Sequence, residues 1–128
     1  MNKQQMKLAH YGSTINDVVE QIQANQDKMA PLFEPLQKAI DADQLAEYDR
    51  ETYEDTQVVF REGTAQYQKL LTRLQQVAVP ARLAGPHRTL VHDFAAFTAA
   101  CEAMTASLKP DLEVDVPAFN ASEKAQDE

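Results

Sequence analysis

The sequence predicts an all-α fold, an antiparallel three-helix up-down bundle, and two observations support this prediction. Ala, Leu, Gln, Glu and Asp are frequent, Gly occurs three times and Trp is absent. Unbranched side chains lose little rotamer freedom in a helix, so this composition favours helix over strand. Apolar residues also recur every seven positions along most of the chain, which is the spacing of a buried face on packed helices.

The first helix is predicted over residues 3–40. Two rows of residues spaced by seven are expected to face the core: Leu8, Ile15, Ile22, Met29 and Leu36, and Tyr11, Val18, Asn25, Leu32 and Ala39. Pro31 and Pro35 lie inside this pattern, and each proline removes a helical hydrogen bond and crowds the preceding turn. We therefore expect a kink or break near Lys28–Pro31, with the same face turned inward on both sides.

The second helix is predicted over residues 42–78. Asp41 is the expected N-cap, and Gln44 follows three residues later, as in a capping box. The core-facing rows are Tyr53, Phe60, Tyr67 and Leu74, and Thr56, Gly63, Leu70 and Val77. Because glycine costs about 1 kcal/mol relative to alanine in a helix interior, Gly63 indicates the close approach of another helix.

The third helix is predicted over residues 82–109, between the linker "VPARLAGP" and Pro110. Its rows are Leu83, Leu90, Phe97 and Met104, and His87, Phe94, Cys101 and Leu108. The bundle then occupies residues 1–109 and leaves an acidic tail, residues 110–128. The third helix is too short to cover the hairpin tip between the first two. We expect residues 111–119 to lie extended across that tip and residues 120–128 to be loose; a wholly disordered tail is the alternative.

The stretch "GPHRTLVHDF", residues 85–94, is where candidate ligand residues crowd together. His87 and His92 are five residues apart, about 140° around a helix, so they do not face one metal ion. The acidic run 41–55 lacks the glycine-containing loop of calcium sites and suits a solvated helix start, with an acidic face that docks a partner as the alternative. We therefore predict no metal site, no cofactor and no catalytic residue. His87 is interpreted as a hydrogen-bonded structural histidine, with a pocket-lining or pH-sensing role as the alternative.

The preferred functional prediction is a non-catalytic, cytosolic interaction module that self-associates as a homodimer. Its candidate partner surface is the hairpin tip, with Phe33, Ile40, Leu45 and Tyr48. Val58, Val59, Leu71 and Val91 flank the core-facing rows, which favours a two-fold dimer. The alternative is a bundle that binds a small ligand in a pocket lined by Tyr53, Phe60, Tyr67, His87 and Phe94.

Charge and composition bear on partners and location. The net charge of −8 argues against nucleic acid and anionic membranes as partners, because both require a basic patch. No apolar run follows the N-terminal lysines, so neither a secretory signal nor a membrane span is expected and the cytoplasm is the predicted location. The single cysteine, Cys101, excludes an internal disulfide.

The span Tyr67–Leu108, which begins "YQKLLTRLQQVAVPARLAGPHRTLVHDFAAF", carries a resemblance to a group of proteins. It is similar to the helix–Pro–helix pattern of small uncharacterised helical proteins of Gram-positive bacteria, in which a histidine follows a proline linker and aromatic residues follow at intervals. The resemblance implies a helical bundle and names no activity.

Overall fold

A computed structural model describes residues 2–110 and 112–127, and it is helical through almost all of them. The α-helices are α1 (Lys3–Asp41), α2 (Arg50–Gln76), α3 (Ala84–Ser107) and α4 (Val116–Asp127), with single 3₁₀ turns at Leu45–Glu47 and Ala81–Leu83. Within the described ranges there is no β-strand, and one isolated bridge pairs Leu108 with Val114. The all-α prediction is confirmed, but these residues form four helices where three were predicted.

Helix α1 begins with a capping box and runs through both of its prolines. The Asn2 side chain accepts a hydrogen bond from the Gln5 N–H, and the Gln5 side chain accepts one from the Asn2 N–H. The predicted break near Lys28–Pro31 is wrong, because the helix continues to Asp41. Pro31 and Pro35 are both exposed, where water replaces the missing hydrogen bonds. A kink without a break stays a prediction.

Helix α2 starts later than the sequence predicted, at Arg50 and not at residue 42. Its N-cap is Asp49, whose carboxylate accepts hydrogen bonds from the N–H and the hydroxyl of Thr52. The chain must first reverse after α1, and Asp43 lies there in the left-handed region with φ 55°. The predicted cap at Asp41 is wrong because that residue is the last of α1.

Side-chain contacts pair α1 with α2, and α2 with α3, in opposite chain directions. Between α1 and α2 the hydrogen-bonded pairs are Asp17–Arg73, Gln21–Gln66 and Asn25–Gly63. Between α2 and α3 they are Thr64–Thr105, Gln68–Glu102 and Leu74–His87. Gln57 of α2 also bonds to Leu108, the residue that follows α3. The α1–α2 loop therefore lies at one end of the molecule, and the start of α1 and the α2–α3 loop lie at the other.

Helix α4 occupies the region predicted to be an extended, partly loose acidic tail. The Asp115 carboxylate accepts a hydrogen bond from the Ala118 N–H at 3.2 Å, and Pro117 lies in the first turn, where its missing N–H is not needed. Phe119 is 0% exposed and stacks on Phe33, with ring centroids 5.8 Å apart. The prediction of an extended segment is wrong for residues 116–119, and the prediction of a loose end is wrong for residues 120–127, because capping and the burial of Phe119 stabilise a helix there. Asp111 and Glu128 lie outside the described residues.

The buried side chains form two clusters, one at each end of the bundle. The tip core contains Leu36, Ile40, Tyr53, Phe60, Met104, Leu108 and Phe119, and Leu112, Val114 and Val116 pack against it. The base core contains Val18, Tyr67, Leu70, Leu74, Phe94 and Cys101. Helix α4 thus contributes a buried side chain to the tip core and none to the base core. None of the helices described has both the length and the apolar composition needed to cross a membrane.

Candidate functional site

A cleft of about 290 Å³ lies between α1 and α3, at the level where α4 ends. Its lining residues are Gln26, Met29, Ala30 and Phe33 of α1, Phe60 and Tyr67 of α2, Phe97, Cys101 and Met104 of α3, and Gln126 of α4. Phe60 and Tyr67 are almost fully buried and form the floor, whereas Gln26 and Ala30 are exposed at the rim. We call this feature the α1–α3 cleft.

The position of the cleft follows from the length of α4. This helix has twelve residues and therefore extends about 18 Å, much less than α1. Along one face of α3, residues seven apart become less buried toward the base: Met104 is 4% exposed, Phe97 is half-buried and Leu90 is 40% exposed. The cleft marks the point on this face where the cover provided by α4 stops.

The floor of the cleft is uncharged at neutral pH. Burial, and secondly the neighbouring Cys101, raise the pKa of Tyr67 to about 12, against a smaller lowering by a hydrogen bond with Asn25. Burial, and secondly Glu102, raise the pKa of the Cys101 thiol to about 12. Because the thiolate is the nucleophilic form of cysteine, this buried thiol is unreactive at neutral pH. The floor therefore suits an apolar group.

Gly63 positions the α1 wall of the cleft against α2. The Asn25 amide donates a hydrogen bond to the Gly63 carbonyl oxygen at 2.9 Å. A Cβ atom at Gly63 would lie 2.5 Å from the Met29 sulfur, closer than any ordinary contact. The absent side chain thus lets the two helices approach and leaves room for Met29 at the edge of the cleft, in line with the close approach predicted from the sequence.

The structure brings only part of the predicted ligand pocket together. Phe60 and Tyr67 line the α1–α3 cleft. Phe94 lies behind it in the base core, in edge contact with Tyr67 at 6.0 Å and stacked on Phe97 at 6.2 Å between ring centroids. Tyr53 lies in the tip core, where its hydroxyl donates a hydrogen bond to the Lys109 carbonyl oxygen. His87 lies at the opposite end of the molecule, by the α2–α3 loop.

His87 joins three helices at the base of the bundle. Its Nε2 lies 2.8 Å from the Leu74 carbonyl oxygen, and because a carbonyl only accepts, Nε2 carries the proton. Nδ1 then accepts a hydrogen bond from the Tyr11 hydroxyl at 2.9 Å. Both ring nitrogens are therefore used, as the interpretation of His87 as a structural histidine requires.

The predicted partner surface at the hairpin tip is partly covered by the chain itself. Ile40 is 9% exposed, and the Phe33 ring stacks on Phe119 of α4. Leu45 and Tyr48 pack against the tip core and stay half-exposed. Phe33 also stays half-buried and lines the α1–α3 cleft, so Ile40 alone among the four predicted residues is buried.

The histidines and acidic residues do not form a metal centre in the part of the chain that the structure describes. There, no group of three or more His, Cys, Asp and Glu side chains is placed to hold a metal ion. His92 and Asp93 lie 3.6 Å apart, with side chains 84% and 73% exposed. These two exposed side chains alone are too few to coordinate a metal ion.

Sequence reasoning placed Met29, Phe97 and Met104 in core-facing rows without assigning them to a pocket, and it did not select Gln26 or Gln126. The cleft depends on where α4 ends, and α4 was not predicted. A weak signal for α4 is present, since an acidic residue precedes a proline in the first turn and the two buried residues of the helix are three apart. That spacing is typical of one helix face.

Comparisons of the chain with protein-family models, curated proteins and solved structures give no match. The resemblance to small helical proteins of Gram-positive bacteria therefore stays a prediction.

Proposed function

We propose that this chain is a non-catalytic helical bundle that binds a small apolar molecule in the α1–α3 cleft. One observation carries the proposal: the cleft combines a volume of about 290 Å³ with an apolar floor and amide groups at its rim. Small-molecule sites begin at about 300 Å³ and have mainly apolar walls with a few polar groups. In this proposal α1, α2 and α3 act as an antiparallel scaffold, and the end of α4 limits the site.

The side chains of the cleft favour binding over catalysis. Its lining contains no Asp, Glu, His, Lys or Arg, so it offers no general acid or base at neutral pH. Its one potential nucleophile, Cys101, has a pKa raised to about 12 by burial, then by Glu102. Met29 and Met104 provide flexible, polarisable surface that adapts to ligands of different shape. The cytoplasmic location predicted from the sequence is part of the proposal.

The test uses an uncharged apolar dye, N-phenyl-1-naphthylamine, titrated into the protein by isothermal calorimetry. We expect saturable binding of one dye per chain. Gln26→Trp places a large ring at the rim and should weaken binding by about tenfold or more, a change of 1.4 kcal/mol per tenfold step. The matched control is Gln23→Trp, because Gln23 is also an exposed glutamine of α1 but does not line the cleft.

Two outcomes of this titration would contradict ligand binding in the cleft. One is the absence of stoichiometric binding to the folded wild-type chain. The other is equal affinity of Gln26→Trp and Gln23→Trp, which would place the dye elsewhere. Circular dichroism of both variants checks that the helices are retained.

A helical interaction module is the second candidate function, and the exposed faces below the cleft favour it. Val19 lies seven residues before Gln26, and Leu90 lies seven residues before Phe97, so both continue the faces that line the cleft. They are 56% and 40% exposed. An amphipathic helix of a partner could pack on these exposed faces of α1 and α3, next to the end of α4. Native mass spectrometry separates the candidates, because a co-purified small molecule supports the first and a ligand-free protein complex supports the second.

A further inference from the structure

Charge is segregated between the two ends of the bundle. Residues 2–16 and 63–92 contain six Lys and Arg residues and no Asp or Glu. The fold brings these segments together, because Tyr11 hydrogen-bonds His87 and because Lys7 and Arg82 line one cleft. We call the surface around Lys7 and Arg82 the basic end.

The basic end has a concave surface that combines positive charge with exposed apolar groups. The cleft there has a volume of about 580 Å³, and its lining residues are Asn2, Gln4, Gln5, Lys7, Leu8, Pro80, Ala81 and Arg82. Lys7 and Arg82 are exposed and have no ion-pair or hydrogen-bond partner among residues 2–110 and 112–127. Arg73, in contrast, already binds Asp17 at 2.7 Å. Met6 and Leu8 nearby are 57% and 37% exposed.

The opposite end of the molecule is acidic. Residues 41–55 contain seven acids and one arginine. Within this acidic tip, Asp41, Asp43 and Glu47 are exposed, and Leu45 and Tyr48 are half-exposed between them. Helix α1 has 39 residues, so it separates the two ends by about 58 Å. Charges this far apart, at a screening length of about 8 Å, do not neutralise each other within one copy.

We propose that the basic end of one copy of this chain binds the acidic tip of a second copy. Exposed apolar groups, Met6 and Leu8 on one side and Leu45 and Tyr48 on the other, are flanked by opposite charges. Single exposed ion pairs contribute little, so several must act together, and the association is weak and sensitive to salt. A polyanion is the less favoured partner, since the whole chain carries −8. This contact is independent of ligand binding in the α1–α3 cleft.

The experiment measures the mass of the full chain by analytical ultracentrifugation at two ionic strengths. At about 0.01 M the screening length is about 30 Å, and at about 1 M it is about 3 Å. We expect species larger than a monomer at low salt, growing with protein concentration, and a monomer at high salt. A wild-type chain that stays monomeric at low salt would overturn the proposal.

Two double variants test the contact from each side. Lys7→Glu with Arg82→Glu changes the basic end, and the net charge goes from −8 to −12 because each reversal subtracts two. Asp41→Lys with Glu47→Lys changes the acidic tip, and the net charge goes from −8 to −4. Each variant alone should lose association by roughly tenfold or more. If repulsion between the net charges of two copies governed association, the second variant would associate more strongly than wild type. That result is the opposite of the loss of association expected here.

Mixing the two variants is the sharpest part of the test. Each variant keeps one native end, so an equimolar mixture restores one native contact and should form a dimer of one copy of each. A mixture that stays monomeric would overturn the proposal. The matched control is Lys28→Glu with Arg61→Glu, which also reaches −12 but lies away from both ends and should associate like wild type.

Other outcomes would assign the surfaces differently. Association that persists at high salt and is unchanged in both end variants would indicate an apolar interface and overturn the proposal. A monomeric wild-type chain that binds duplex DNA or phosphatidylserine vesicles, and loses that binding in the Lys7→Glu, Arg82→Glu variant, would assign the basic end to a polyanion instead. Circular dichroism of each variant checks that the helix content is unchanged.

Discussion

The tip half and the base half of the bundle share the same rows of α2 and α3 but differ in how those rows are covered. On α2, Phe60 in the tip core and Tyr67 in the base core are both 1% exposed. On α3, Met104 in the tip core is 4% exposed, whereas Leu90 toward the base is 40% exposed. The seven-residue spacing places a side chain on a face, but an element opposite that face decides whether the side chain is buried.

The two halves are also held together by different interactions. At the tip, the backbone at the end of α3 is bonded to the segment that precedes α4, with the Lys109 N–H donating to the Glu113 carbonyl at 2.7 Å and the Asp115 N–H donating to the Ser107 carbonyl at 2.8 Å. At the base, which α4 does not reach within the described residues, the His87 side chain bridges α1 and the last residues of α2. Side-chain hydrogen bonds between helices, those of His87 and the Asp17–Arg73 pair among them, therefore hold the base, whereas a covering helix holds the tip.

The largest expected effect comes from removing the cover of the tip half. Phe119→Ala should lower the free energy of unfolding by about 3–5 kcal/mol, because a fully buried ring is replaced by a cavity and the stacking with Phe33 is lost. Urea denaturation measures the change. Asn120→Ala is the control, since Asn120 is an exposed residue of α4. A loss below about 1 kcal/mol for Phe119→Ala would show that α4 does not hold the tip half closed.

The next effect concerns the bridge of the base half. His87→Ala should cost about 2–3 kcal/mol, because it leaves the Leu74 carbonyl without its partner and removes a side chain that is 8% exposed. His92→Ala, whose side chain is 84% exposed, should stay within about 0.5 kcal/mol. Hydrogen exchange should show faster opening of the first turns of α1 and unchanged α4. Equal losses for the two histidines would contradict a structural role for His87.

The rows on α2 show how much of the fold the sequence predicts. Tyr53, Phe60, Tyr67 and Leu74 are each 1% exposed, because α2 lies between α1 and α3 and both of its neighbours are long. The prediction was incomplete for α3, because the burial of its residues depends on α4. Among residues 116–126 of α4 only Phe119 and Ser122 are buried, and two residues three apart do not produce a seven-residue repeat.

The candidate site was less predictable than the fold, for a related reason. Aromatic spacing along α2 selects Phe60 and Tyr67, which line the α1–α3 cleft, but it also selects Tyr53, which packs in the tip core. The α1–α3 cleft requires the end of α4 near Gln126, and the spacing of a single helix carries no information about where another helix stops. His87 was interpretable from the sequence because its row placed it inside the bundle.

A third prediction uses alkaline pH to compare how buried titratable groups in the two halves contribute to stability. In the tip core, the pKa of Tyr53 is raised to about 12, mainly by burial and secondly by the charge of Glu113. In the base core, the pKa of Tyr67 is raised to about 12, mainly by burial and secondly by Cys101. Burial, then Glu102, raises the pKa of Cys101 from 9.0 to about 12. Each group is protonated in the fold, so its contribution to stability is complete below its unfolded pKa and is lost as pH rises toward 12.

Stability should therefore begin to fall near pH 9, where the thiol of the unfolded chain ionises, and fall more steeply above pH 10, where the tyrosines follow. Urea denaturation at several pH values measures this curve. Cys101→Ala should remove the part of the decline between pH 9 and pH 10. The same curve for Cys101→Ala and wild type would contradict a buried, protonated thiol in the base core.

The smallest expected effect lies on the uncovered part of α3. Leu90→Gln should change the free energy of unfolding by about 1 kcal/mol or less, because the leucine already lies 40% in water. Met104→Gln, on the same row of α3, should cost about 2–4 kcal/mol, because it places an amide where the side chain is 4% exposed. Urea denaturation of the two variants at low protein concentration gives the comparison. If Leu90→Gln costs as much as Met104→Gln, the base half is covered in solution by something outside the single chain. That result would favour the interaction module, and repeating the measurement over a range of protein concentrations would tell whether a second copy provides the cover.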